Sequence, residues 1–293
     1  MVKVIISGLG KTGREIAKFL IEQDGIQIVS ALCRPGSEKC GWDLGVMLGV
    51  GSRKIPVESS DKLQLLVLKT RPDVVIDFST PEACLKNAKL FSELKINLVI
   101  GTTGFSNLGL KRLYLLSKRY GNGVVYAPNI TLGVNVLMLL TNITANILNS
   151  YDFQITEIHH KHKKDIPSGT AKKIASEIEK GVQSAGVKDA DKRTPITAVR
   201  AGGVVGKHEV MIIGEDDKIE ISHESFSRKA FALGALKAVH FINGKAGYFE
   251  MSDVLNLGKV FTDYLQRENL CKKRRYSSQF IDIRAMSPEE ISL

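Results

Sequence analysis

The first thirteen residues constrain this chain more than any other part of it. Val2-Lys3-Val4-Ile5-Ile6-Ser7 is a short run rich in β-branched residues, and it breaks onto Gly8-Leu9-Gly10-Lys11-Thr12-Gly13. Such a run, bounded by glycine, predicts a strand buried on both faces and hence a parallel sheet. Residues 14–23 then carry Ile16, Ala17, Leu20 and Ile21 at helical spacing. Glycines between a strand and a helix allow a tight turn and a close approach of backbone to a pyrophosphate, which rests on the positive helix end. The G-x-G-x-x-G pattern alone is weak, but the strand–turn–helix context strengthens it. Gly8, Leu9, Gly10, Lys11, Thr12 and Gly13 are therefore candidate dinucleotide contacts, with a plain βα turn as the alternative.

Further strands are predicted at 26–32, 74–78, 98–100 and 124–127, with helices at 81–94 and 108–120. Alternating strands and helices give an α/β architecture, a Rossmann-like doubly wound parallel sheet. Near residue 130 the texture changes. Residues 133–148 read as one long apolar helix, 153–159 as a strand, and 171–180 as a helix with Ile174, Ala175 and Ile178 on one face. Strands at 208–214 and 218–223 flank Glu215-Asp216-Asp217, a hairpin turn. This half predicts a smaller α+β domain with an open mixed or antiparallel sheet. The expected division is 1–130, joined by 241–293, and 131–240. The Gly-, Asp- and Lys-rich stretch 183–195 predicts a mobile loop.

The ends of the strands carry the next candidates, because ligands of open α/β sheets lie outside the strands' carboxyl ends. Cys33-Arg34 follows the second strand with no carboxylate, and a carboxylate there would repel a 2′-phosphate that Arg34 attracts. The reading is NADPH preferred, with NADH possible. Asp77-Phe78-Ser79-Thr80-Pro81 and Gly101-Thr102-Thr103-Gly104-Phe105 end later strands. Gly101, Thr102 and Thr103 are placed along a nicotinamide, against ordinary turns as the alternative.

The densest chemistry is Glu157-Ile158-His159-His160-Lys161-His162-Lys163-Lys164-Asp165-Ile166-Pro167-Ser168-Gly169-Thr170, which holds three of the six histidines. His-His-x-His lacks the helical spacing of a zinc pair and has no cysteine nearby, so no metal is expected. A solvated basic loop is the bland reading. An anionic substrate site is the sharper one. His159 titrates near neutral pH, Lys163 adds a positive charge, and Ser168, Gly169 and Thr170 open a helix whose N–H groups can hold a carboxylate.

The net charge of +10 fits either nucleic acid or anionic small molecules. Basic residues are spread along the chain, aromatic residues are only 6%, and no nucleic-acid-binding motif stands out. The Lys272-Lys273-Arg274-Arg275 cluster does not account for the charge, since residues 257–293 carry seven basic residues against five acidic. Apolar runs such as 134–140 are far too short to span a membrane. Cys33, Cys40, Cys84 and Cys271 form no C-x-x-C pair, and the chain opens without a signal-peptide pattern. Reduced thiols and a cytoplasmic location are the expectation.

Glu-x-His-His-x-x-Lys-x-Asp-x-Pro-Ser-Gly-Thr-Ala at 157–171 resembles the signature of the dihydrodipicolinate reductase family. The glycine turn, Gly101 to Phe105, Ala127-Pro128-Asn129 with Gly133-Val134-Asn135, Val199 to Gly202, and Phe249 to Leu255 stand in that family's order. The resemblance covers about residues 2–257. It implies reduction of a cyclic imine dicarboxylate by NAD(P)H. It implies His159 as the catalytic proton donor and acceptor, Lys163 as second proton donor, His160 as a substrate contact, and Gly169 and Thr170 as holders of a carboxylate. It implies cofactor contacts at the glycine turn, Arg34, Gly101 to Thr103, Ala127, Pro128, Asn129 and Ile130, with Phe78 on the same rim. It implies a homotetramer joined through second-domain sheets, a small-molecule substrate, and neither nucleic acid nor membrane as partner.

The chain departs from many members of the family. Its glycine turn is one residue shorter and carries Lys11-Thr12 in place of an Arg-Met pair. Thr80 stands where some members have arginine, the acid before Arg34 is absent, and the carboxyl-terminal tail is long. The first three bear on cofactor choice and not on the reaction; the tail has no assigned function. Two rival readings are another two-domain dehydrogenase acting on an amino acid or diamine, and a non-catalytic dinucleotide- or nucleic-acid-binding protein.

Overall fold

A computed structural model describes residues 1–186 and 194–267. In chain order its elements are β1 (Val2–Ser7), α1 (Lys11–Leu20), β2 (Ile26–Cys33), α2 (Leu44–Met47), β3 (Val57–Ser59), α3 (Leu63–Thr70), β4 (Val74–Asp77), α4 (Pro81–Glu93), β5 (Asn97–Ile100), α5 (Asn107–Tyr120), β6 (Gly123–Tyr126), α6 (Leu132–Ile147), β7 (Asp152–His159), α7 (Gly169–Ser184), β8 (Ile196–Arg200), β9 (Gly206–Ile213), β10 (Lys218–Ser225), α8 (Lys229–Ile242), β11 (Gly247–Phe249) and α9 (Met251–Leu255). Residues Met1–Val254 form one compact unit, and a second unit begins at Leu255, in which residues 257–267 are helical.

Seven strands form one sheet in the order β11-β6-β5-β4-β1-β2-β3, and every pair is parallel. Val4, Ile5 and Ile6 are wholly buried, as a central parallel strand covered on both faces requires. Helices α4 and α5 bury Phe91 and Leu113 against Ile5, Val75, Leu98 and Ile100. The register brings Ser7 level with Leu32 and Asp77, Asp77 with Ile100, and Ile100 with Tyr126. The glycine turn and the loops at Cys33-Arg34, Asp77 to Pro81, Gly101 to Phe105 and Ala127 to Asn129 therefore leave the sheet along one edge. The order reverses between β1 and β4, the place where a doubly wound sheet opens a crevice.

Four strands form the second sheet, β10-β9-β7-β8. Its pairs are antiparallel except β7–β8, which is parallel, so it is mixed. One face packs on α6 and α7 through Val134, Leu137, Ile155, Ile174, Ile178, Val210 and Ile212.

Several boundaries differ from expectation. α1 starts at Lys11, not residue 14, because Gly10 is extended and serves as its N-cap. α7 is capped by Ser168 and runs to Ser184, so the predicted loop at 183–195 begins as helix; its residues 187–193 lie outside the described residues, as does the 272–275 cluster. β3, β8 and β11 are short strands without a clear apolar run and were not anticipated. Neither were α2, α3 and α8. α8 packs on α1, and its Ile242 carbonyl accepts from Asn97 Nδ2 at 2.7 Å.

Candidate active site

Alternation along β7 builds the centre of the site. Ile155, Glu157 and His159 share the buried face. The first faces the core, and the other two continue that face to the strand's end. On β9, His208 stands level with Glu157, and on parallel β8 Arg200 stands level with His159. Four polar side chains thus meet at the ends of three strands.

Glu157 is fully buried, and its carboxylate is fully engaged. Oε2 meets His159 Nδ1. Oε1 accepts from Arg200 Nη2 at 2.8 Å and from the Ser168 N–H at 3.0 Å. Burial works to raise its pKa, but the Arg200 and Ser168 bonds, with the charges of His159 and Arg200, outweigh burial and hold it below the usual range. His159 is held below its ordinary value, chiefly by burial; Glu157 opposes this while Lys163 and Arg200 add to it. Burial pushes His208 down to about 3. Its Nε2 lies 3.3 Å from Ser168 Oγ, and its ring meets that of His159 edge to face at 5.2 Å.

The Ser168 hydroxyl also accepts from the Ala171 N–H at 3.1 Å, the N-cap bond of α7. It is 1% exposed and committed to the cap, so the hydroxyl of Ser168, expected at the substrate, is turned into the helix end. Gly169 and Thr170 face open space. They line a cleft of about 500 Å³ together with Thr103, Gly104, Asn129 and Lys163. A cavity of about 60 Å³ lies beside it, lined by His159, His208, His223 and Gly206 and sharing Pro128, Asn129 and Thr170 with the cleft. Asn129 bridges the two halves, its Oδ1 accepting from Thr170 Oγ1 at 2.6 Å. Lys163 is paired with Asp165 at 2.8 Å. His160 lines neither space; it sits among the charges of Arg228, Lys11, His162 and Lys163, and partial burial, then those charges, hold its pKa down.

The glycine turn fits a dinucleotide by its geometry. Gly8 has φ +93°, and a Cβ there would stand 2.4 Å from the Phe78 carbonyl oxygen; a Cβ on Gly13 would stand 1.9 Å from the Gly8 oxygen. Gly10 has nothing within 4 Å of a built Cβ, and no side chain caps α1. The open helix end is what a pyrophosphate needs. Phe78 props the rim, since a Cβ on Gly101 would fall 2.1 Å from its ring. Thr102 Oγ1 donates to buried Asp77 at 2.6 Å, so Thr102 offers only backbone to a ligand. Ala127 and Ile130 are buried and Leu9 is 5% exposed, so these too can offer only backbone. Arg34 is exposed at the end of β2.

Sequence reasoning gave no role to Arg200, His208, His223 or Lys39, whose Nζ donates to the Leu9 carbonyl at 2.9 Å. The signal for Arg200 and His208 was their even spacing along β8 and β9, which shows only once the register is known. Glu157, His159 and His208 offer ligand atoms within 4.8 Å of one another. Both Glu157 oxygens are already taken, and Arg200 and Lys163 oppose a cation there, so the donor set does not suit a metal ion.

The chain matches the family model described as dihydrodipicolinate reductase, N-terminus, over residues 2–130, and the model for its C-terminus over 133–255. It is 41% identical over 269 residues to a 4-hydroxy-tetrahydrodipicolinate reductase of Methanopyrus kandleri, covering 87% of this chain and 97% of that one. A dipicolinate-bound dihydrodipicolinate reductase from Paenisporosarcina sp. TG-14 superposes with a TM-score of 0.70 at 25% identity, over 85% of this chain and 97% of that one. An amine dehydrogenase from Mycobacterium smegmatis reaches a TM-score of 0.61 at 15% identity, over 86% of this chain and 95% of that one, which shows a shared fold alone. On both halves of its length, this chain belongs to the dihydrodipicolinate reductase family.

Proposed function

We propose that the chain reduces 4-hydroxy-tetrahydrodipicolinate, a cyclic imine dicarboxylate, to tetrahydrodipicolinate. One observation carries this reading: the loop at Thr103 shares a cleft with Lys163, Gly169 and Thr170, beside a buried His159 held by Glu157. The α7 N-terminus and Lys163 supply N–H donors and positive charge for a dianion. With Glu157 on Nδ1, the other ring nitrogen of His159 is left for the substrate. The resting imidazole is neutral; a dianion beside it favours the imidazolium, so substrate binding draws in the proton to be donated. Lys163 exchanges Asp165 for a substrate carboxylate and serves as a second donor.

The glycine turn, Gly101 to Thr103, and backbone at Ala127 to Ile130 would hold a nicotinamide dinucleotide, which supplies a hydride when bound. The substrate's hydroxyl leaves as water to give a conjugated C=C–C=N system; the hydride and the His159 proton would then saturate its C=C bond and leave the cyclic imine of the product. Arg34, with no acid beside it, favours NADPH over NADH. The sequence set the second part at 131–240, but α8 packs on α1 and on strands of the seven-stranded sheet, so the proposed division moves to 228: residues 131–228 would close over a cofactor-holding body made of 1–130 and 229–254, excluding water and carrying His160 to the substrate. A homotetramer through the open face of the four-stranded sheet, a cytoplasmic location and no nucleic-acid partner complete the proposal. No helix among the described residues is long and apolar enough to cross a membrane.

The test is turnover by the purified chain of freshly formed dihydrodipicolinate synthase product, with NADPH and NADH in parallel. Substrate-dependent loss of reduced-nicotinamide absorbance is expected, faster with NADPH, and Arg34→Ala should erode the NADPH rate more than the NADH rate. A folded chain that binds a cofactor and turns over neither refutes the reading.

A further inference from the structure

We propose that Arg200 is a positioning residue of this reaction: by answering the buried charge of Glu157 it leaves His159 neutral at rest and free to gain and release one proton. The inference rests on the reductase reading above. Its basis is geometric. Arg200 stands opposite His159 on the neighbouring strand, with a side chain only 12% exposed. Nη2 donates to Glu157 Oε1 at 2.8 Å and to the Asp165 carbonyl at 2.6 Å, and Nη1 donates to the Val199 carbonyl at 2.8 Å. One guanidinium therefore fixes the carboxylate that orients His159 and also pins the loop carrying Lys163.

The groups around His159 come from every packed element. Glu157 lies on its own strand, Arg200 on β8, His208 on β9, and Lys163 with Asp165 in the loop; His223 of β10 lines the same cavity, and burial lowers its pKa. His208 is too deeply buried to carry charge near neutral pH, and Lys163 is answered by Asp165. The remaining balance is Arg200 against Glu157. With both present, the trio of Arg200, Glu157 and neutral His159 carries no net charge, and a proton on His159 is an excess charge easily given up. Without Arg200, the buried Glu157–His159 pair would carry an uncompensated negative charge. It would answer that charge by trapping a proton at rest, and the pair would titrate as one strongly coupled unit. Replacing Glu157 instead has the reverse effect, because His159 loses the partner that favours its charged form and keeps the opposing arginine.

The two substitutions must therefore move the His159 midpoint in opposite directions, which a merely structural arginine would not do. The measurement is an NMR titration of the His159 ring in the full chain, its signal assigned by loss in His159→Gln. Arg200→Met should raise the midpoint by about one pH unit or more. Glu157→Gln should lower it, or leave the ring neutral to the lowest pH at which the chain stays folded. Arg200→Lys should stay near the wild type, and Arg200→Gln replaces the methionine variant if that one does not fold. The alkaline limb of kcat should follow the same signs while cofactor affinity stays unchanged. Unmoved midpoints, or shifts of one sign, overturn the proposal. The titration needs no turnover, so opposite shifts in an inactive chain would refute the reductase reading and leave standing only the charge balance that Arg200 and Glu157 set on His159.

Discussion

His159 carries the account at the scale of single residues, and its surroundings make two predictions. His159→Gln removes the proposed proton donor without touching the glycine turn. Turnover should fall by roughly 10²–10⁴, while cofactor affinity, read by fluorescence titration, stays within error; equal turnover would take His159 out of the reaction. Gly206 is the second position. A Cβ there would stand 3.1 Å from His159 Nε2, tight enough to displace the ring and not the fold. Gly206→Ala should lower kcat at an almost unchanged melting temperature, and a variant with wild-type kcat would mean that this ring edge is not where the substrate sits. Glu157, His159 and Lys163 were legible because they fall close together in the chain. Arg200 and His208 were not, because their bonds to Glu157 and Ser168 span 43 and 40 residues, and the pairing of β8 and β9 with β7 is what brings them to the site.

Among the elements, α7 matters most, because its first turn is a structural cap and the proposed anion cradle. Ser168 Oγ bonds the Ala171 N–H and faces His208, and the Ser168 N–H bonds Glu157. Ser168→Ala should cost about 0.5–2 kcal/mol of stability through the lost cap. It should also raise KM for the dicarboxylate more than KM for the cofactor. Denaturant melts and steady-state kinetics check both, and a KM rise confined to the cofactor would contradict the assignment of this helix end. The strands at 2–7, 26–33 and 74–77 could be read from the chain because each is a β-branched run buried on both faces. β8 could not be: it is an edge strand whose side chains alternate between half-buried and exposed. β11 is three residues long, and its place beside β6 depends on a partner more than a hundred residues earlier. α1 began earlier than expected because an uncapped glycine, invisible to a search for Ser, Thr or Asp caps, starts it.

For the whole molecule, the buried histidines set the response to acid. Burial holds His208 at about 3 and depresses His159 and His223. The unfolded chain, with histidines near 6.5, therefore binds more protons than the native one below that pH. Their contribution to stability is complete above about pH 6.5 and is lost progressively as pH falls toward about 3. Urea midpoints should drop between about pH 8 and about pH 5, before carboxylate protonation begins; a flat midpoint would contradict the burial of these rings. The doubly wound sheet, the mixed second sheet and the family were all legible, because the local patterns agree with the global architecture. Lys39 beside the glycine turn was not legible, since it reaches the turn from a loop whose course the sequence does not indicate. The central claim is that one cleft joins a hydride donor to a dicarboxylate beside His159. Its most direct test is a single turnover with reduced nicotinamide deuterated at the transferable position, analysed by mass spectrometry of the cyclic product. The account predicts one deuterium per product molecule in the wild-type chain and a sharply slowed appearance of that label in His159→Gln. Product formed without deuterium, or no product from a folded chain with either cofactor, would contradict it.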